Sequence, residues 1–326
     1  MREGNNPEKD KQEKNILKPH RVVVVFYIPE NDDAFYSESD KVLDKCLQTL
    51  TQTINPETTN ITLLNNNSSR KVDAIIAKYS HLIDKYVAYT ENMGKVYAVL
   101  NEVRGVYEPF VTITDADILF YNGWEKAVFE VYKNFPLAGA VSPMPLPYLT
   151  FHFNHNVFGF NTLKGKIKYG KFVRDEDINL YLQGTNLPNL IDRKTQYNWA
   201  EKQIVITNND FKAVVGAYHV VTTYRTEQFR NIYTFPDLKF RNSYEDYFID
   251  CLAEASGLFK LSTINTYAYH IGNKIDDIVK KHDYEPKDFL EKSVFDKIVM
   301  KNRQFRPVVF VRALMGRFFI KFLWNR

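Results

Sequence analysis

One unbroken apolar run near the start of the chain constrains the fold more than any other feature. Residues 21–28 read Arg-Val-Val-Val-Val-Phe-Tyr-Ile. β-Branched residues without polar alternation predict a strand that is buried on both faces of a parallel sheet. Further strands are predicted over 61–64, 86–89, 110–114 and 138–142, with helices between them over 42–50, 74–79, 94–104 and 122–134. This alternation predicts an α/β fold with a doubly wound, mostly parallel sheet.

The chain beyond residue 145 follows this pattern less regularly. Residues 146–210 are rich in Asn, Lys and aromatic residues without a clean hydrophobic period, which indicates an insertion or a substrate-facing region. We predict strands within 211–224 and 258–264, and a helix over 243–256 that ends at Gly257. Residues 275–326 are predicted to be helical and to end in a basic, aromatic segment.

Composition excludes several classes of protein. The 326 residues are 44% hydrophobic and 25% charged, which is typical of a folded domain, and the net charge of +4 is too small to indicate a nucleic-acid partner. Two cysteines, Cys46 and Cys251, form no CxxC pair and indicate a reducing compartment. The first residues are charged and no run of 18 apolar residues occurs, so we expect a cytoplasmic protein without a secretory signal or a spanning helix.

The familiar phosphate-binding loops are absent from the sequence. The first predicted strand ends in Tyr-Ile-Pro-Glu-Asn over 27–31, where a dinucleotide fold would have GxGxxG, and no GxxxxGK[ST] motif occurs. Ligands of such sheets bind at the carboxyl ends of the strands. The phosphates of a bound nucleotide would therefore need another counter-charge there, and a metal ion held by carboxylates would supply it.

Asp115 and Asp117 stand at such a strand end, directly after the predicted strand over 110–114. Side chains two residues apart in extended backbone point the same way, and two like charges held together repel each other unless a cation lies between them. Oxygen ligands suit Mg²⁺ or Mn²⁺. The alternative is a turn in which an aspartate caps the helix that starts near Asn122.

The ordered motifs of the chain resemble those of GT-A-fold nucleotide-sugar glycosyltransferases, most of all glycosyltransferase family 2. They are Tyr27-Ile28-Pro29, Asn65-Asn66-Asn67-Ser68, Asn92-Met93-Gly94-Lys95 with Asn101, Asp115-Ala116-Asp117, Tyr244-Glu245-Asp246 and Tyr269-His270. The resemblance implies a GT-A fold with an acceptor-side insertion and C-terminal helices. It divides the chain into a disordered tail (1–20), a nucleotide-sugar-binding half (21–145), an acceptor-binding and catalytic half (146–275) and a basic, aromatic helical extension (276–326).

The resemblance also implies roles for individual residues. Asp117 would ligate Mn²⁺ or Mg²⁺, Asp115 would lie near the ribose or the metal, and His270 would complete the metal site and favour Mn²⁺. A UDP-sugar is the expected donor, although Asn65 stands where the family commonly has an Asp that reads uracil. Tyr218 and His219 would shape the acceptor pocket. The implied donor-binding residues are Tyr27, Ile28, Pro29, Asn65, Asn66, Asn92, Gly94, Lys95, Asn101, Asp115 and Ala116. Alternatives remain for three of these: a helix cap for Asn92, a turn for Gly94 and a solvated Lys95.

The Glu245-Asp246 pair would carry the chemistry, with Asp246 as the base that takes the proton of the acceptor hydroxyl. The alternative is structural, because Ser243-x-x-Asp246 has the spacing of a helix capping box. His152 and His155 have no Cys or carboxylate at ligand spacing, and we interpret them as acceptor-side or surface residues. The charges over 174–177 are interpreted as a solvated cluster.

Taken with these features, the resemblance implies a metal-dependent, inverting glycosyltransferase of cell-surface polysaccharide synthesis that acts on a saccharide or lipid-linked acceptor. A non-catalytic nucleotide- or sugar-binding module and a nucleotidyltransferase are the alternatives. If the prediction is right, residues 115, 117 and 246 should line one cavity.

The C-terminal segment over 308–324 is apolar but interrupted by Arg312, Arg317 and Lys321, so it lacks a clean amphipathic face. It would either dock on a membrane surface or pack on the catalytic domain or a partner.

Overall fold

The computed structural model describes residues 4, 6–11, 17–31, 33–186, 190, 198–230, 232–282, 288–301 and 304–324. Parts of the predicted N-terminal tail (1–3, 5 and 12–16) therefore lie outside the described residues. The strands are β1 (His20–Phe26), β2 (Thr59–Asn65), β3 (Lys85–Ala88), β4 (Phe110–Asp115), β5 (Ile118–Phe120), β6 (Ala138–Ser142), β7 (Ile167–Gly170), β8 (Gln203–Asn208), β9 (Phe211–Val215), β10 (Val221–Arg225), β11 (Phe259–Ser262) and β12 (Ala268–His270).

Helices connect most of these strands. The α-helices are α1 (Ser39–Thr53), α2 (Asp73–Tyr79), α3 (Lys95–Val103), α4 (Trp124–Asn134), α5 (His155–Asn161), α6 (Asp175–Gly184), α7 (Leu252–Ala255), α8 (Asp277–Lys281), α9 (Ser293–Asp296) and α10 (Arg306–Phe319). Two π-helical turns accompany them, over Asp246–Asp250 and Ile320–Trp324. Among the described residues, no helix is long and apolar enough to cross a membrane.

Ten of the strands form one sheet, in the order β3-β2-β1-β4-β10-β6-β11-β9-β8-β7. The pairings make β1 to β4, β6, β8 and β11 run in one direction, and β7, β9 and β10 in the other. The predicted α/β fold with a mostly parallel sheet is thus confirmed. Strands β5 and β12 form a separate antiparallel pair beside it, in which Ile118 lies opposite His270.

Strand β1 lies inside the sheet for the reason that its sequence gives. Val22 to Val25 are at most 6% exposed, and each pairs on both sides, with β2 and with β4. Full burial of a valine side chain contributes on the order of 1.5–3 kcal/mol. The parallel register brings the carboxyl ends of β1, β2 and β4 to the same edge of the sheet, which is where the predicted site residues follow.

Two regions differ from their prediction. The segment over 146–210 contains α5, β7, α6 and β8, and its two strands extend the sheet at one edge. Elements of four to ten residues are too short to show a clear hydrophobic period. The predicted helix over 243–256 is a π-helical turn followed by α7, with a positive φ of 67° at Ser243 before it. The predicted C-terminal helices are present as α8, α9 and α10.

Candidate functional site

A cleft of about 580 Å³ opens at the carboxyl ends of β1 and β4. It is lined on one side by the end of β1 and the start of α3, and on the other by the end of α6 and the residues after β12. Several predicted site residues meet in it, namely Tyr27, Ile28, Lys95, Asp115, Ala116, Asp117 and His270. Residues that are up to 243 positions apart in the chain therefore share one site.

Lys95, at the start of α3, and Asp115, at the end of β4, form an ion pair on the wall of the cleft. Nζ of Lys95 lies 2.5 Å from Oδ1 of Asp115, and both side chains are less than a quarter exposed. Burial lowers the pKa of Lys95, but the Asp115 carboxylate outweighs it and the pKa is raised. Burial raises the pKa of Asp115 in spite of the lysine. The alternative of a solvated Lys95 is therefore wrong, because the α3 N-terminus aims this side chain at the end of β4.

Asp117 and His270 form the second pair in the cleft. Residues 116 and 117 lie in a turn between β4 and β5, so extended backbone is not what aims Asp117. The β5–β12 pairing brings His270 beside it: Nε2 lies 3.1 Å from Oδ2 of Asp117, and Nδ1 lies 2.7 Å from the Gly184 carbonyl oxygen. Burial opposes protonation of His270, but Asp117 outweighs it and raises the pKa to about 9.

The other carboxylate oxygen of Asp117 makes the cleft a suitable metal site. Oδ1 is buried and has no hydrogen-bond partner among the described residues. A buried polar atom without a partner is costly unless a ligand or ion satisfies it. Two carboxylates and one imidazole are donors that suit Mn²⁺. Asp115, Asp117 and His270 therefore have the donor chemistry that a divalent cation needs, but the three residues whose ligand atoms lie within 4.8 Å of one another in the described part of the chain are His152, Asp246 and Asp250.

A second polar cluster contains Asp246. Its Oδ1 lies 3.2 Å from Nε2 of His152, and ligand atoms of His152, Asp246 and Asp250 lie within 4.8 Å of one another. Such a group could hold a metal ion, but the buried ammonium group of Lys260 already supplies positive charge to both aspartates. His219 lies 2.6 Å from Asp250.

The electrostatics of this cluster favour a charged Asp250. Burial raises its pKa, but the hydrogen bond with His219 and the charge of Lys260 outweigh burial and lower it. Burial and the Lys260 charge lower the pKa of His152. A neutral His152 can donate through Nε2–H and thereby orient the carboxylate of Asp246.

The capping alternative for Asp246 finds no support in the described residues. The helical turn that contains Asp246 has no side-chain cap hydrogen bond, and Ser243 has positive φ. His152 and His155 have no carboxylate at ligand spacing in the sequence, yet each has a carboxylate partner at 3.2 Å in the fold, Asp246 and Glu254 respectively. Both partners come from about 95 residues away, which local spacing does not reveal.

The two clusters adjoin without sharing one cavity. Asp246 does not line the 580 Å³ cleft, so the expectation that residues 115, 117 and 246 line a common cavity is not met there. A neighbouring cavity of about 240 Å³ is lined by both Tyr218 and His270, and so touches the cleft. Burial raises the pKa of Tyr218, and the charges of Asp246 and Glu245 add to the effect. Tyr218 therefore lies between His270 of the cleft and Asp246 of the second cluster.

The asparagines predicted on the donor side have structural partners. Asn65 accepts a hydrogen bond from the Ser68 backbone and donates to the Tyr86 hydroxyl, and it is 6% exposed. Asn66 is 3% exposed and donates to Asn92. These amide groups shape the turns at the ends of β2 and β3, next to the cleft rather than on its wall.

Three further predicted residues lie off the cleft wall. Asn101 is exposed on α3, where it donates to the Tyr89 hydroxyl. Pro29 lines a smaller neighbouring cavity of about 330 Å³. Gly94 begins α3 with φ 79°, and a Cβ there would lie 1.9 Å from the backbone oxygen of Lys239. The Asn92 side chain accepts from the Gly94 N–H, which supports the turn alternative for Gly94. The helix-cap alternative for Asn92 is wrong, because the N-cap residue of α3 is Gly94 and no side chain of the described residues caps this helix.

Sequence reasoning missed Gly184 and misread Asp177. A Cβ at Gly184 would lie 2.6 Å from the His270 carbonyl oxygen, so glycine lets α6 approach β12. The Gly-Thr-Asn sequence over 184–186, which is typical of a helix end, could have marked this position. Asp177 is buried, pairs with Arg174 at 2.8 Å and accepts from the Thr266 N–H, so the solvated-cluster interpretation of 174–177 is wrong for it. It ties α6 to the loop before β12.

The mostly parallel sheet with paired aspartates at the end of a central strand defines the GT-A class of fold. The model of Glycosyl transferase family 2 matches residues 34–186. The resemblance to glycosyltransferase family 2 is thereby confirmed over that segment, which contains Lys95, Asp115 and Asp117. Asp246 and His270 lie beyond it. No curated protein sequence matches this chain.

Several solved structures are similar to this chain. S. aureus TarS 1-349 in complex with UDP is 12% identical over 94% of this chain and 73% of that chain, with a TM-score of 0.46. The mannosyltransferase PcManGT from Pyrobaculum calidifontis, in complex with GDP-Man and Mn²⁺, is 14% identical over 91% of this chain and 69% of that chain, with a TM-score of 0.43. A longer TarS chain is 15% identical over 39% of this chain and 21% of its own length, with a TM-score of 0.31. This chain thus matches about a fifth of that protein.

Proposed function

We propose that this protein is a metal-dependent glycosyltransferase that moves a sugar from a nucleoside-diphosphate sugar to a hydroxyl of an acceptor, with inversion. The observation that carries the proposal is the meeting of Lys95, Asp115, Asp117 and His270 in one cleft at the carboxyl ends of the strands. The acceptor would be a saccharide or a lipid-linked saccharide of cell-surface polysaccharide synthesis. The enzyme would work at the cytoplasmic face of the membrane.

The nucleotide would lie in the 580 Å³ cleft against Tyr27 and Ile28. Tyr27 is 37% exposed there and offers a planar face to a base. Asn65, Asn66 and Asn92 would stabilise the turns next to the base. Their amide groups are already hydrogen-bonded within these turns, so they would not contact the base directly. The division of the chain at residue 145 into a donor half and an acceptor half remains part of this proposal.

Asp115, Asp117 and His270 would hold Mn²⁺ or Mg²⁺. When bound, such a cation stabilises the negative charge that develops on the departing diphosphate. Lys95 would supply a fixed positive charge at the same wall of the cleft, since its ion pair with Asp115 keeps it protonated and aimed inward. The N-terminus of α3, where Lys95 stands, favours negative charge as well.

Asp246 would take the proton of the acceptor hydroxyl as the new glycosidic bond forms. Inversion needs a base on the face of the sugar opposite the leaving diphosphate, and Asp246 lies in the polar cluster next to the cleft rather than in it. Glu245, whose charge reaches Lys95, would stand between the two clusters. His152 would orient the Asp246 carboxylate.

The acceptor would approach along Tyr218 and His219. Tyr218 lines the 240 Å³ cavity next to His270, and His219 is held by its contact with the buried Asp250. Aromatic side chains stack against the apolar faces of sugars, and Tyr218 is joined there by Tyr181 and Tyr269.

The decisive experiment measures nucleoside-diphosphate release from a panel of UDP- and GDP-sugars, with Mn²⁺, with Mg²⁺ and after chelation. The complexes solved for TarS and the mannosyltransferase name the donors to try first. We expect metal-dependent release with one donor class and its loss in Asp117→Asn. Pyrophosphate release would indicate a nucleotidyltransferase, and metal-dependent donor binding without turnover, across acceptors, would indicate a non-catalytic module. Asp277→Asn, at an aspartate 81% exposed in an unrelated helix, is the matched control.

A further inference from the structure

The C-terminal helix α10 and the turn after it present an apolar face to the outside. Five large side chains on this face are each 46–65% exposed: Phe310, Val311, Leu314, Phe318 and Phe322. Their spacing of one, three, four and four residues places them along one side of a helix. Contiguous exposed apolar side chains of this size mark an interaction surface. We call these five residues the outer stripe.

The opposite side of α10 is packed tightly against the domain, which fixes the direction of the outer stripe. A Cβ at Gly316 would lie 1.8 Å from the His155 carbonyl oxygen, so the helix is in close contact with α5. Arg312 is 7% exposed, donates to the Gly257 carbonyl oxygen and lies over the Phe160 ring. The expectation that α10 lacks a clean amphipathic face is therefore wrong, because Arg312 lies on the side of α10 that is packed against the domain.

The charges of the C-terminal segment that carries the outer stripe all have one sign. Residues 297–326 contain no Asp or Glu and eight cations: Lys297, Lys301, Arg303, Arg306, Arg312, Arg317, Lys321 and Arg326. Arg306, Arg317 and Lys321 are exposed on α10 or in the turn after it, beside the stripe. A second copy of this surface would bring these like charges together and is disfavoured. An anionic surface with an apolar interior complements both the charge and the stripe.

We propose that the outer stripe docks on the surface of an anionic phospholipid bilayer. The apolar side chains of α10 lie at the boundary between headgroups and acyl chains, and Arg317 and Lys321 reach the lipid phosphates. The helix lies along the surface, since no described helix is long and apolar enough to cross it. Docking does not rest on the transferase activity, so the failure of either idea leaves the other standing.

The test is flotation of the full chain with vesicles. We compare vesicles of phosphatidylglycerol and phosphatidylcholine with vesicles of phosphatidylcholine alone, at low and high salt. We expect binding to the anionic vesicles only, weakened by salt. Replacing Phe310, Leu314 and Phe318 by serine should abolish it. Arg317→Gln with Lys321→Gln should weaken it by roughly twenty- to thirty-fold at low salt.

Matched controls separate docking from damage to the fold. Tyr107→Ser removes an aromatic residue that is 79% exposed elsewhere, and Lys71→Gln with Lys212→Gln removes two exposed charges elsewhere. Both should bind like the unaltered chain, and all variants should keep its melting temperature because the replaced side chains are exposed. Absence of binding to anionic vesicles, or equal binding by the triple serine variant, overturns the proposal. If the unaltered chain forms a dimer that the triple serine variant disrupts, and does not bind vesicles, the outer stripe contacts a second copy of the chain. That result would also overturn the proposal.

Discussion

Replacing Asp246 by asparagine is the sharpest test of the proposed chemistry, because it removes a base without changing the shape of the site. The asparagine oxygen can still accept from Nε2 of His152, which lies 3.2 Å from Oδ1 of the aspartate. The neighbouring pair of His219 and Asp250 is untouched, so the fold should keep its stability. The cleft around Lys95 and Asp115 is also unchanged, so donor binding should persist.

The expected loss follows from what is removed and what remains. General-base catalysis contributes roughly 10²- to 10⁴-fold, which corresponds to about 2.7–5.5 kcal/mol of the activation free energy. Charge stabilisation of the diphosphate remains, so activity should fall by that factor and not to zero. The assay measures kcat from nucleoside-diphosphate release at saturating donor, together with donor binding by thermal shift. Turnover in Asp246→Asn equal to that of the unaltered enzyme would refute the assignment of Asp246 as the base.

Three further predictions follow from individual contacts. His152→Phe removes the side chain that holds the Asp246 carboxylate in place, so kcat should fall while donor KM stays constant; an unchanged kcat would contradict the positioning role. Gly94→Ala should lower the free energy of unfolding, measured by urea titration, by about 2–4 kcal/mol, because φ is 79° and the added Cβ would lie 1.9 Å from a backbone oxygen. The control Gly165→Ala also has positive φ but has open space around it, and should lower the free energy of unfolding by about 1 kcal/mol. Burial raises the pKa of Glu108, but its hydrogen bonds with Arg21 and Asn60 outweigh burial and lower the pKa below 4.5. The contribution of Glu108 to the stability of the fold should therefore be complete at pH 7 and be lost as the pH falls below about 4.5. Glu108→Gln should therefore lower stability at pH 7, and its effect should shrink as the pH falls below about 4.5; a pH-independent difference would argue against the ion pair.

The parallel half of the fold could be predicted from the sequence, because its determinants are local. The apolar run of β1 specifies a strand buried on both faces, and its bounds of 20–26 lie within two residues of the prediction. Gly94 and Lys95 mark the start of α3 in the same way, and β6 has the predicted bounds of 138–142. Because parallel strands end at one edge, these local signals also located Asp115 and Asp117 at the cleft.

The contacts that define the candidate site needed the tertiary structure. His152 meets Asp246 across 94 positions of sequence, and His270 meets Asp117 through the β5–β12 pairing. No periodicity encodes such pairs, since they depend on how distant segments meet in the fold, as β12 meets β5 in the pair beside the main sheet. The sequence by itself determined which strand is buried and where its acids stand. Only the packed chain decided which histidine faces which acid and which side of α10 faces outward, because burial and pairing are properties of the whole fold.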